Sequence, residues 1–186
     1  MIKLESISFS YGKKQVLTDF SLNINKGDII CLSGESGCGK TTVLRLILGL
    51  EKPIKGDIIK SDTIKPSVVF QENRLIPFKT VLENITVFGV DNDTALYHLN
   101  ALGIGKCAEM YPDKLSGGMQ RRLAIARALS VDYDYLILDE PFTGLDNENI
   151  ISACEHIIKS VKGRPIIMVT HSKEEAELFN AKIINI

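Results

Sequence analysis

Apolar positions along the chain switch between a period of two and a period near 3.6, and the switches mark out alternating strands and helices. At the start, Ile2, Leu4, Ser6 and Ser8 alternate with Lys3, Glu5, Ile7 and Phe9. Tyr11-Gly12-Lys13-Lys14 then offers a turn before Val16 to Ile24, a pattern that predicts an N-terminal hairpin. Ile29 to Leu32 is a short apolar run, and Val43 to Leu50 follows at helical spacing, closed near Gly49. Gly56 to Ile59 and Val68 to Phe70 read as short strands. Residues 79 to 112 carry helical spacing over most of their length, interrupted at Gly103 and Gly105. Met119 to Val131 is strongly helical, with Met119, Leu123 and Ala126 on one inward face. Tyr135 to Leu138 and Ile166 to Val169 are almost wholly apolar, as expected of strands covered on both faces in a parallel sheet. Helices over 147–161 and 173–179 alternate with them, which predicts an α/β architecture. The expectation is one domain, with a core at about residues 1–71 and 129–186 and a helical lobe at about 72–128 inserted into it.

Composition narrows the function classes without choosing one. The 186 residues are 45% hydrophobic and 24% charged, ordinary values for a folded globular chain. Lys and Arg number 22 against 23 acids, a net charge of -1, which offers no basic footprint for direct nucleic-acid binding. No long apolar run suits a membrane span, and the first residues lack the plan of a secretion signal, so a cytoplasmic chain is expected. Cys31, Cys38, Cys107 and Cys154 are scattered, without a CxxC pair or clustered histidines, which argues against zinc or a disulfide framework.

Three stretches carry candidate chemistry. Gly34-Glu35-Ser36-Gly37-Cys38-Gly39-Lys40-Thr41 fits G-x-x-x-x-G-K-[ST] in full and sits between a predicted strand and a predicted helix. Such a loop curls its N-H groups toward phosphate oxygens and adds the positive end of the helix that follows. Lys40 would reach the β and γ phosphates and the Thr41 hydroxyl would ligate magnesium, with Thr42 beside it. Asp139 and Glu140 close the apolar strand from Tyr135, where ligand-facing residues lie in an open parallel sheet. Adjacent acids at a strand end should face opposite sides and so hold separate tasks. Asp139 would support the metal, and Glu140 would orient and deprotonate a water. Ser116-Gly117-Gly118 precedes the helix from Met119. Ser116 reads as an N-cap, and its hydroxyl with the following N-H groups could instead donate to a γ-phosphate.

Taken together and in this order, these motifs resemble the ATP-binding subunit of an ABC transporter, from Tyr11 to His171. Leu115 to Gln120, LSGGMQ, is the stretch that separates this family from other P-loop ATPases. The resemblance implies a P-loop NTPase fold of RecA-like type: a parallel-sheet core with an N-terminal antiparallel part and an inserted helical lobe. It also implies roles. Tyr11 would stack on adenine and residues 34 to 42 would hold the phosphates. Gln71 would touch magnesium and water and sense a membrane partner. Ser116, Gly117, Gly118 and Gln120 would belong to the signature. Asp146 would contact a partner subunit, and His171 would meet the γ-phosphate. Glu140, His171, Gln71 and Lys40 are the expected catalytic set, and Thr41, Gln71 and Asp139 the expected metal contacts.

In this family the signature of one subunit covers the nucleotide held by the other, so the implied assembly is a head-to-tail homodimer sandwiching ATP and Mg2+. The implied partners are transmembrane permease subunits and, in the same system, a solute-binding protein. The implied place is the cytoplasmic face of the membrane, without a transmembrane segment of the chain's own. Gln71 to Asn84 resembles the matching stretch of nitrate, sulfonate and taurine importers. Leu75, Pro77 and Phe78 would there either meet a short permease helix or simply pack the lobe. Fifteen residues follow His171, fewer than such domains often carry. Two other classes stay open at this point: a soluble ABC-type ATPase acting on DNA or ribosomes, and a non-catalytic nucleotide-binding module. The first lacks its usual tandem units, coiled-coil insertion or basic surface here. The second would be expected to have lost Glu140 or His171, and both are present.

Overall fold

A computed structural model describes residues 1–186. Strands β1 (Ile2–Tyr11) and β2 (Lys14–Ile24) form the expected hairpin, and β4 (Lys55–Lys60) pairs with the other edge of β1, giving an antiparallel sheet in the order β2-β1-β4. Its alternation differs from the simple pattern. Ile2, Leu4, Ile7 and Phe9 are the buried residues of β1, so Ser6 and Ser8 do not share the face of Ile2 and Leu4. The cause is a register shift between Leu4 and Ile7, where Ser6 takes φ 49°. One extra residue there returns Ile7 and Phe9 to the core. Gly56 on β4 makes room for the bulge, since a Cβ on it would lie 2.2 Å from the Glu5 carbonyl oxygen.

The second sheet decides where the site lies. It runs β5 (Pro66–Val69), β6 (Tyr135–Asp139), β7 (Ile166–Val169), β3 (Ile29–Ser33) and β8 (Lys182–Asn185), every neighbour parallel. All five strands therefore end along one edge, and the segments after β3, β5, β6 and β7 emerge side by side there. Every residue of β6 and β7 is buried. Their side chains alternate between two cores. Tyr135, Ile137, Ile167 and Val169 pack with α1 (Lys40–Leu48) and the antiparallel sheet, while Leu136, Leu138, Ile166 and Met168 pack with α4 (Gly117–Ser130) and α5 (Asn147–Val161). Truncating one of these, Leu138→Ala for instance, removes roughly 2–5 kcal/mol. Edge strand β8 has no counterpart in the sequence reading, because it holds only two apolar residues between Lys182 and Asn185.

Between β5 and β6 lie α2 (Glu83–Thr86), α3 (Asn92–Ala101) and α4, with α6 (Lys173–Leu178) following β7. The stretch from 79 to 112 is less helical than its spacing predicts. Only residues 83–86 and 92–101 are α-helical, with single 3-10 turns at Gly105–Cys107 and Pro112–Lys114. Side-chain hydrogen bonds compete with the helix there. The fully buried Asn84 donates from Nδ2 to the carbonyls of Ile76, Lys79 and Thr80 and accepts from the Ile76 N-H, holding the segment before α2 as a loop. No helix is long and apolar enough to cross a membrane, and all four cysteines are free.

Candidate functional site

The loop after β3 feeds directly into α1, and its last residue, Gly39, adopts φ 121°, a conformation that favours glycine. A Cβ there would come within 3.0 Å of both Val16 Cγ1 and Leu17 Cδ2. Helices α3, α4, α5 and α6 each begin with a side chain accepting a first-turn N-H, from Asp91, Ser116, Asp146 and Ser172. At the start of α1 no side chain does so, and its first turn contains no acid. Those N-H groups and the helix dipole are left to an anion from outside. Lys40, buried at the same place, donates from Nζ to the carbonyls of Gly34 at 2.7 Å and Glu35 at 2.9 Å, which holds the ammonium at the mouth of the loop.

A cavity of about 360 Å³ opens over this helix end. Ser36, Gly37, Gly39, Lys40, Thr41 and Thr42 form one wall, while Gln71, Asp139, Glu140 and His171 come from the neighbouring strand ends. Tyr11, at the far end of β1, completes it, its ring edge-on to Phe9 at 4.9 Å and its hydroxyl 3.4 Å from Arg45 Nη1. Gly34, Glu35 and Cys38 do not line the cavity and shape the loop from behind.

The two acids correct the expectation that they face opposite sides. Strand β6 ends at Asp139, and Glu140 turns to φ 49°, so the strand's alternation stops between them and both residues line the one cavity. Burial raises the pKa of Asp139 first, against the attraction of Arg121, Arg45 and Lys40. Burial likewise raises that of Glu140, with His171 pulling it down and Glu175 and Asp139 pushing it up. Glu140 Oε1 accepts no hydrogen bond and lies 3.3 Å from His171 Nε2. A carboxylate so placed beside an imidazole can accept a proton.

Thr41, Gln71 and Asp139 bring a hydroxyl, an amide and a carboxylate to this same cavity. Such hard oxygen donors suit magnesium, which is held through one or two carboxylates, here Asp139, and completes its shell with waters and substrate phosphates. No cluster of three or more His, Cys, Asp or Glu side chains forms a metal cage elsewhere.

A second cavity, of about 520 Å³, holds the other half of the expected set. Ser116, Gly117 and Gly118 line it at the start of α4, with Asp146 at the start of α5 opposite. Ser116 Oγ accepts from the Met119 N-H at 3.2 Å, as a cap does, and its own hydroxyl proton remains free to donate. Asp146 accepts from the Asn149 N-H at 2.9 Å, a bond that lowers its pKa. Gln71 borders both cavities. Gln120 lines neither. Its amide donates to the carbonyls of Pro112 at 2.9 Å and Leu115 at 3.4 Å, within its own lobe.

The sequence reading missed Arg121, which lines the Ser116 cavity and lies outside the lining of the phosphate cavity. A signal for it exists. Arg121, Ile125 and Ala128 form a second buried stripe on α4, and a charge on an otherwise apolar stripe marks a special partner.

Comparison with known proteins decides the family. The family model described as ABC transporter matches residues 17–143. The chain belongs to the ABC transporter family. Among curated relatives of this ABC cassette, an aliphatic sulfonates import ATP-binding protein of Paracoccus denitrificans is 37% identical over 98% of the chain and 78% of the relative. Its counterpart from Corynebacterium glutamicum is 39% identical over 90% of the chain and 72% of the relative. A solved dimeric post-hydrolysis structure of the ATP-binding cassette MJ0796, with ADP and Pi bound, matches with TM-score 0.86 and 29% identity over 100% of this chain and 94% of that one. The P-loop NTPase fold expected of an ABC cassette is therefore the fold observed. This ABC cassette is an ATPase, and ATP is its ligand.

Proposed function

We propose that this chain is the ATP-hydrolysing subunit of a membrane importer and works as a head-to-tail pair with a second copy of itself. The observation that carries the reading is the split site. The phosphate cavity and the Ser116 cavity are separate surfaces of one protomer, and Ser116 and Gly117 stand exposed at an uncovered helix end. Each is half of a nucleotide site, and a two-fold pairing completes two sites at once. The whole chain then acts as one ATP-binding domain, with a core at about 1–71 and 129–186 and a lobe at about 72–128.

Within each site the roles follow from chemistry. Tyr11 stacks on adenine, the N-H groups at the start of α1 and Lys40 hold the phosphates, and His171 meets the γ-phosphate. Thr41, Gln71 and Asp139 would hold Mg2+, which would supply positive charge to offset that of the phosphates. Glu140 aligns a water behind the γ-phosphorus and takes its proton as the new P-O bond forms and the bond to ADP breaks. Its raised pKa strengthens it as a base. Ser116 and the N-H groups of Gly117 and Gly118 cover the partner's nucleotide, and Asp146 meets the partner near it.

The names of the curated relatives support import through permease subunits. The subunit then sits at the cytoplasmic face of the membrane through that permease, in a system that includes a solute-binding protein. Exposed Phe78, beside Leu75 and Pro77, is the surface offered to the permease. Cargo is chosen by the other subunits. The test uses a variant that binds ATP without consuming it. With Mg2+ and ATP, Glu140→Gln should shift from monomer to dimer in light scattering, and ADP should not produce the shift. A Glu140→Gln protein that stays monomeric at saturating ATP overturns the reading.

A further inference from the structure

Arg121 is the most deeply buried charged side chain of the protein, at 2% exposure. Burying a guanidinium costs several kcal/mol unless its donors are met. Here they are met by two loops. Nε donates to the Pro141 carbonyl at 2.7 Å, and Nη2 donates to the carbonyls of Asp139 at 2.9 Å and of Glu140. Nη1 donates to the carbonyls of Phe70 and Gln71 and, at 3.2 Å, to Asn73 Oδ1. The partners are mostly carbonyls, so the group ties backbone to backbone. A planar fork of five N-H groups can do this and a lysine ammonium cannot.

The three segments so joined are those that matter for hydrolysis. One is the helix that begins at Ser116, the second follows β5 and carries Gln71, and the third is the turn carrying Asp139 and Glu140. In a head-to-tail pair, Ser116 serves the nucleotide held by the partner, while Gln71 and Glu140 serve the protomer's own. We propose that Arg121 is a positioning residue that locks these segments into one body, so that seating Ser116 on the partner's nucleotide aligns Glu140 against the protomer's own nucleotide. The two sites of the dimer are thereby coupled through Arg121. This inference rests on the dimer reading above.

The test compares the full chain with Arg121→Lys, following fluorescent-ATP affinity, kcat and the Hill coefficient for ATP. ATP affinity should stay within about twofold of the wild type, because Arg121 lines no part of the phosphate cavity. Misalignment of the base should lower kcat on the order of 10²-fold, and the Hill coefficient should fall from the wild-type value toward about 1. Should Arg121→Lys fail to fold, Asn73→Ala removes the one side-chain acceptor and should shift kcat and the Hill coefficient the same way, less steeply. Unchanged kcat and cooperativity overturn the proposal, as does a wild type without cooperativity. So does a variant in which affinity and kcat fall together, the mark of a structural role alone. Failure of the Glu140→Gln protein to dimerise would instead strike the dimer reading, and that measurement does not involve Arg121.

Discussion

The phosphate cavity and the Ser116 cavity are built on different principles. Four parallel strands converge on the first, and their ends deliver the loop with Lys40, then Gln71, the two acids and His171 to one edge of a sheet whose central strands are wholly buried. Its two acids are desolvated, and burial raises the pKa of both. The second is made by two helix starts facing each other, with an exposed serine, two glycines and a capping aspartate. On the proposed reading, a cavity of the first kind grips a triphosphate by itself, because its donors are anchored by the core. The second kind offers N-H groups and a hydroxyl at the surface, and on the same reading acts on what a second copy presents to it.

The largest effect expected is the one that silences the first cavity while leaving the second untouched. Glu140→Gln keeps the shape of the side chain and removes its basicity, so kcat should fall on the order of 10²- to 10⁴-fold with ATP affinity preserved. Steady-state phosphate release alongside a nucleotide titration measures both. A variant that turns over at the wild-type rate would remove Glu140 from the chemistry and leave the under-satisfied Oε1 without a purpose.

The same contrast explains what was legible in the sequence. Strands β6 and β7 announced themselves because burial on both faces demands apolar residues at every position, and the phosphate loop because its glycines are required by backbone geometry. Features that depend on a single backbone torsion were hidden. The bulge at Ser6 and the turn at Glu140 each rest on one non-glycine residue at positive φ, which no local pattern betrays, and each reversed a prediction about which way side chains face. Arg121 was hidden for another reason. All but one of its partners are backbone carbonyls, of residues 18 to 51 positions away, and carbonyls have no letter in a sequence. The lobe was overread as helix because a buried asparagine can satisfy a loop as well as a helix satisfies itself.

Acid should separate the two regions next. His98 on α3 and His156 on α5 meet at 2.8 Å between Nδ1 and Nε2, joining the part of the chain that carries Ser116 to the core helix behind Asp146. Burial lowers the pKa of His98 from 6.5 to about 4, with His156 adding repulsion, and burial and then Lys159 lower that of His156. Above pH 6.5 both folded and unfolded chains are neutral at His98 and stability is indifferent to pH there. As pH falls from 6.5 toward 4 the unfolded chain takes up a proton that the folded pair refuses, so folding loses on the order of 2–3 kcal/mol. The raised carboxylates Asp139, Glu140 and Glu175 work the other way at the acid end, because the folded chain holds their protons more tightly. The difference between wild type and His98→Gln in urea unfolding at pH 7 and pH 5 isolates the imidazole. A difference that does not change with pH would show that His98 is not the group whose protonation the fold resists.

The smallest effect bears most directly on the second cavity. Ser116→Ala deletes the cap on Met119 and should cost about 1 kcal/mol of stability, a fall of roughly 2–4 °C in Tm. It also deletes the hydroxyl donor, so the ATP-driven dimer should weaken by roughly tenfold with no change in ATP affinity of the single protomer. Stability and pairing change together in that variant, and Ser116→Asp takes them apart. An aspartate caps as well as a serine and favours the positive helix end, so Tm should be restored. Its charge would face a γ-phosphate across the dimer, and pairing should be weaker than in Ser116→Ala. If analytical ultracentrifugation finds both variants pairing as the wild type does with Mg2+ and ATP, Ser116 is a cap and nothing more. The exposed start of α4 would then have to work through the N-H groups of Gly117 and Gly118 alone.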